Sequence, residues 1–277
     1  MKGTKLTAIK NIGWAIAIMV CLLATFIGLL FAAFTRYGGE QFRGGLRLGE
    51  TAAAEIADEP VAAVQTATGE LNILPYTEDG GQAYVDSLTF LCDSSIVGLK
   101  DYGLLSGGIN TTQVWATQSG SLPASNIADA RIVYPNDGSQ ITAANAAMIA
   151  RPKILVISLG NDALAETDKQ SFIGNYERLI RDIQSSSPET VIICLTLTSV
   201  TTDYNGIDGL TANLSTQAIG WLQQVCLDTG VYYCDAASVL RNLDGNLLSE
   251  YASANGKTLN STGLYQILQY LRTHTVK

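Results

Sequence analysis

Three short segments of this 277-residue chain carry side chains that could do chemistry. The first is Cys92-Asp93-Ser94-Ser95, directly behind an apolar run. A serine at that point, leading into a helix, would have its hydroxyl beside N–H groups able to stabilise an oxyanion. The same Asp/Ser pair also serves as an ordinary helix cap. The second is Gly160-Asn161-Asp162, behind another apolar run, where a side-chain amide could donate to an oxyanion or simply turn a loop. The third, around Asn255-Gly256-Lys257-Thr258, stands just ahead of the last helical pattern. A serine hydroxyl is a poor nucleophile unless a neighbouring base takes its proton, and imidazole is the usual base. The only histidine is His274, near the C-terminus. No CxxC pair exists and His274 has no second histidine, so neither a zinc site nor any other cofactor is expected.

The elements that must position these segments alternate along the chain. Residues 88–92, 153–159, 190–197 and 231–234 are near-continuous apolar runs, as strands buried on both faces of a parallel sheet require. Between them the spacing predicts helices. Over 171–186 it puts Phe172, Tyr176, Leu179, Ile180 and Ile183 on one face, with Pro188 just beyond. Over 211–229 it aligns Leu214, Ala218, Trp221, Leu222 and Val225, with Gly230 as the stop, and a last helix covers 263–273. This alternation predicts a three-layer α/β/α sandwich with a parallel sheet. In such a fold, function gathers at the carboxyl edge of the strands, where the three segments fall.

Taken in this order, the segments resemble those of the SGNH/GDSL hydrolase superfamily, over residues 86–275. The resemblance implies an SGNH/flavodoxin-like fold and ester hydrolysis. It puts the nucleophile at Ser94, in Cys92-Asp93-Ser94 where the family has Gly-Asp-Ser. An oxyanion-hole glycine falls in Ser106-Gly107-Gly108-Ile109-Asn110, on Gly108. The family's Gly-x-Asn, set on Gly160, puts the asparagine at Asp162, and a shift of one residue gives the role to Asn161. The last block, Asp-x-x-His, falls on Asn255 and Thr258. This sequence therefore departs where the family has its acid and its base. Threonine accepts no proton at neutral pH, asparagine stabilises no imidazolium, and loss of a triad member costs about 10⁴–10⁶-fold in rate.

Two readings follow. In the first, the domain has lost efficient ester hydrolysis and keeps a ligand cleft for a cell-envelope glycan or an acylated small molecule. In the second, it is an active esterase or O-deacetylase in which Ser94 uses a substitute base: Asp93, Asp162 or His274. For His274 the geometry is unfavourable, because the last helix would carry it away from the cleft.

Ahead of this domain, residues 12–34 are 23 residues without a charge, enough helix to cross a ~30 Å hydrocarbon core. The expected organisation is a cytoplasmic N-terminus (1–11), a transmembrane signal anchor (12–34), a glycine- and alanine-rich linker (35–85) and the SGNH-like domain (86–277). The chain would then sit in the cell membrane as a single-pass protein with its C-terminal domain outside the cytoplasm. Lys2, Lys5, Lys10 and the N-terminal amine against Arg36, Arg43 and Arg47 favour that orientation slightly. Beyond residue 50 stand 11 Lys and Arg against 23 Asp and Glu, and so acidic a body disfavours nucleic acid as a partner. Cys226 and Cys234 are candidates either for a disulfide or for small buried core residues.

Overall fold

The computed structural model describes residues 69–276, all within one compact unit, Pro60–Lys277. The expected anchor at 12–34, the segment before it and most of the expected linker lie outside the described residues. Among the described residues, no helix is long and apolar enough to cross a membrane.

Five strands make a parallel sheet: β1 (Leu88–Cys92), β2 (Val114–Trp115), β5 (Ile154–Ser158), β6 (Val191–Leu195) and β7 (Tyr232–Cys234), in the order β2-β1-β5-β6-β7. Their register brings the carboxyl ends level, with Cys92 beside Ser158, Ile157 beside Cys194, and Leu195 beside Cys234. Side chains alternate between two cores. Leu91, Leu155, Ile157, Ile192 and Cys194 face one layer, and Phe90, Cys92, Val156, Ile193 and Leu195 face the other. Burial on both faces is why these strands read as unbroken apolar runs.

Helices close both faces. On the first lie α3 (Ala143–Ala150), α4 (Lys169–Ser186) and α5 (Ala212–Thr229). Asp168 caps α4 by accepting from the N–H groups of Gln170 and Ser171, and the predicted face from Phe172 to Ile183 is buried. Thr211 caps α5, and Gly230, at φ +73°, ends it in a left-handed turn. On the second face lie α1 (Gly81–Asp86), the single turn α2 (Gly98–Asp101) and α6 (Ser261–Arg272), with Asn260 capping α6. The expected three-layer α/β/α sandwich with a parallel sheet is therefore present. A small antiparallel pair, β3 (Arg131–Val133) with β4 (Gln140–Thr142), is added at one side.

The packed unit begins before the expected boundary at 86. Leu74 and Val85 are buried, and Tyr233 exchanges backbone hydrogen bonds with Asn72 and Leu74, extending the sheet at its β7 edge. Residues 71–85 lack the long apolar runs that mark a strand, so their place depends on β7 and on α6, to which Asp79 is tied through Arg272. The possible disulfide between Cys226 and Cys234 does not form. Both thiols are free and buried, and they belong to the cores on opposite faces of the sheet.

Phe172 is fully buried and packs its ring on those of Tyr176 and Trp221. Replacing it with alanine should lower the unfolding free energy by about 3–5 kcal/mol, measured by urea titration. A change within 1 kcal/mol of zero would contradict the packing described.

Candidate active site

The site is built at the ends of β1 and β5. Asp93, the first residue beyond β1, is fully buried. One of its oxygens accepts from the backbone N–H (3.0 Å) and hydroxyl (2.5 Å) of Ser95. The other accepts from the backbone N–H groups of Gly160 (2.9 Å) and Asn161 (3.0 Å). This carboxylate fastens the turn after β1 to the turn after β5. Burial and the neighbouring charge of Asp162 push its pKa up to about 6, against the pull of its hydrogen bonds. With all its acceptor positions engaged, Asp93 is a structural tie and makes no contact with the Ser94 hydroxyl.

Ser94 is half-buried, and its hydroxyl donates to Asp162 Oδ1 at 2.5 Å. The other oxygen of Asp162 accepts from the backbone N–H of Ser94 (3.2 Å) and of Leu122 (2.8 Å). Two converging backbone N–H groups beside a serine hydroxyl are what an oxyanion needs. Here they hold a carboxylate of the protein itself. Of the two alternatives for the third segment, Asp162 is the one that meets Ser94. Asn161 turns away, and its amide donates to Thr198 Oγ1 at 2.6 Å beyond the end of β6.

The last segment also arrives. The N–H of Leu259 donates to the carbonyl of Ser95 at 3.4 Å, which puts Thr258 next to the turn that carries Ser94. Asn255 Oδ1 accepts from the N–H groups of Lys257 and Thr258, both at 3.0 Å, and from the Thr258 hydroxyl at 3.2 Å. The two residues standing for the acid and the base thus satisfy each other within one turn. Lys257 reaches inward instead, with its ammonium 2.8 Å from Asp208 and 4.0 Å from Asp162. Burial works against ionisation of Asp208, but hydrogen bonds from Lys257 and Tyr204 prevail and hold its pKa at about 2.

Two sequence expectations need correction. Gly108 lies ahead of β2, in a segment bound to the amino end of β1. Ser106 donates to Asp86, and Gln113 donates to the carbonyls of Val85 and Leu88. That is the end of the sheet opposite Ser94, so Gly108 offers no donor there. The donor comes from Leu122, after β2, a strand of two residues too short to show as a pattern. Nor does Ser94 open a long helix. It lies in an irregular turn followed by the four-residue α2, which has little dipole to offer. His274 is remote, as its place beyond the last helix implied. Helix α6 starts two residues beyond Leu259, and its 12 residues carry the chain about 18 Å away. There His274 stacks on Tyr270 and bonds the Tyr270 carbonyl at 2.8 Å.

Beside the site, a cleft of about 660 Å³ runs between residues 201–207 and 249–257. Gly256 joins its walls, receiving the N–H of Thr201 at 2.9 Å. At φ +68° a Cβ on Gly256 would lie 2.6 Å from Thr201 Oγ1, so glycine is required.

The fold and the Ser94 site together define a GDSL-type domain. The chain belongs to the GDSL-like lipase/acylhydrolase family, which matches residues 93–257. Among solved structures it is similar to a G-D-S-L-family protein from Desulfitobacterium hafniense, at 15% identity and TM-score 0.46, over 68% of this chain and 99% of that one. It is also similar to a carbohydrate esterase of family 3 from Talaromyces cellulolyticus, at 16% identity and TM-score 0.42, over 66% of this chain and 92% of that one. At such values these likenesses bear on neither activity nor substrate. No curated protein matches the chain.

The raised pKa of Asp93 has a consequence for stability. Since its folded value of about 6 lies above the ordinary 3.8, its stabilising contribution is complete below about 3.8 and is lost as pH rises through about 6. Asp208, held near 2, changes its contribution only below that window. The thermal unfolding midpoint should therefore be higher at pH 5 than at pH 7.5, and a lower midpoint at pH 5 would contradict the assignment.

Proposed function

We propose that this is a GDSL-family domain that has lost efficient ester hydrolysis and retains a ligand cleft. The supporting observation is the seat of the Asp162 carboxylate, which takes both backbone N–H groups and the hydroxyl that a reacting ester would need. An ester carbonyl developing negative charge would have to displace an anion already held there, and would do so beside its repulsion. No imidazole stands near Ser94 to take the proton, and Thr258 and Asn255 are engaged with each other.

One observation favours the second reading, an active esterase. The 2.5 Å contact puts Asp162 where a base for Ser94 would stand. A carboxylate, however, takes a hydroxyl proton less readily than an imidazole, and this one would have to leave the N–H groups to free the oxyanion position. In either case the ligand we propose is a polar one, such as a glycan of the cell envelope or an acylated small molecule, in keeping with the polar groups that line the neighbouring cleft. We place the domain outside the cytoplasm, carried by a membrane anchor at 12–34, because that uncharged run is long enough to span a bilayer.

Combining Asp162→Asn, Asn255→Asp and Thr258→His should raise hydrolysis of a short-chain acetate ester by at least about 10³-fold over the unaltered protein, given what a triad contributes. The gain should vanish when Ser94→Ala is added. Turnover by the unaltered protein that is abolished by Ser94→Ala would overturn the non-hydrolysing reading in favour of the second. For the anchor, the native protein should stay in the membrane fraction through alkaline carbonate washing, and release into the soluble fraction would refute it.

A further inference from the structure

The cleft beside the site mixes polar and apolar lining. The hydroxyls of Thr201 and Ser253 and the side-chain amides of Asn205 and Asn255 stand among its polar groups. The half-buried Tyr204 ring and the side chain of Ile207, which is 88% exposed, add apolar surface. A pocket so mixed suits a ligand with hydroxyls along its edges and C–H groups on its faces, as in a pyranose ring. A fatty acyl chain would find too little apolar surface, and a volume of about 660 Å³ lies within the range of small-ligand sites.

Charge narrows the class. Two charged residues, Lys257 and Asp203, line the cleft. The Lys257 ammonium is already shared between Asp208 and Asp162, so it has no unmet charge for an anionic ligand. Asp203 is exposed and makes no hydrogen bond or ion pair with any described residue. The cleft thus presents one unmatched negative charge among hydroxyl-binding and ring-stacking groups.

We infer that the cleft is a saccharide site that prefers a sugar carrying a free amine and rejects acidic sugars, with Asp203 as the residue that makes the selection. This rests on the reading of the domain as one that keeps its ligand cleft, and it names the ligand class. The amine of a bound sugar pairs with Asp203 at the rim, while the ring lies against Tyr204 and Ile207. The pair is partly solvated, so it contributes modestly, about fivefold in affinity, and weakens with added salt.

Calorimetric titration of the full-length protein can test this with three probes: the β-1,4-linked trimer of glucosamine, its fully N-acetylated counterpart, and trigalacturonate. The expected order is glucosamine trimer, then the N-acetylated trimer about fivefold weaker, with no detectable binding of trigalacturonate. Asp203→Asn should bring the first two to equal affinity. Glu189→Gln, which removes an exposed charge at the opposite edge of the sheet, should leave the order intact. The proposal is overturned if none of the probes binds, if trigalacturonate binds as well as the glucosamine trimer, if Asp203→Asn keeps the fivefold preference, or if Glu189→Gln abolishes it. Acetate-ester turnover on the same preparations reports separately on hydrolysis, so the two readings can fail independently.

Discussion

A buried carboxylate with four hydrogen-bond donors sets the geometry on which the site depends. Asp93 has no exposed surface, and an ion so placed is tolerated only when its oxygens are satisfied. Its donors come from two turns: Ser95, one residue beyond Ser94, and Gly160 and Asn161, just ahead of Asp162. Because Asp93 pulls on both, the turn after β1 and the turn after β5 cannot drift apart. Ser94 and Asp162 meet as a result. Gly160 adds a steric constraint of its own: at φ +114°, a Cβ there would come 2.8 Å from the Phe172 ring.

The electrostatics of the cleft edge follow from the same placement. Asp162 and Asp93 are close enough for one charge to raise the pKa of the other. The Asp162 carboxylate is an anion beside Ser94, and the chain surrounds it with compensation. Two backbone N–H groups and a hydroxyl bind it directly, and Lys257 stands 4.0 Å away. Lys257 is in turn held by Asp208, whose loop forms one wall of the neighbouring cleft. Asp162 is therefore built into a hydrogen-bond network that links Ser94 to the cleft. Preorganised donors act in catalysis only when they are free to meet developing charge, and here the N–H groups of Ser94 and Leu122 are taken up by the Asp162 carboxylate.

Much of this architecture was legible in the chain. The strands at 88–92, 153–159, 190–197 and 231–234 were visible because burial on both faces demands continuous apolar residues. Helices α4, α5 and α6 were visible because one face of each is apolar at helical spacing, and Asp168, Thr211 and Asn260 cap them. Strand β2 escaped because two residues cannot show a period, and with it went the donor at Leu122. Gly108 looked suitable by composition, but a glycine-rich segment carries no mark of which end of the sheet it will reach. The tie between 71–80 and α6 escaped for a similar reason. Its bonds, such as Arg272 to Asp79, join residues almost two hundred positions apart.

Residue types and local order alone determined that this is a layered α/β domain with a serine at the end of its first strand and a single histidine beyond its last helix. Those features are written in short-range periodicity and in side-chain chemistry. Tertiary structure decided which of Asn161 and Asp162 faces Ser94, that Asp93 is a tie and not a base, that the second N–H comes from Leu122, and that Lys257 points inward to two carboxylates. It also set Cys226 and Cys234 on opposite faces of the sheet. The direction of a backbone N–H or of a single side chain depends on the packing of segments distant in sequence, and no local pattern records it.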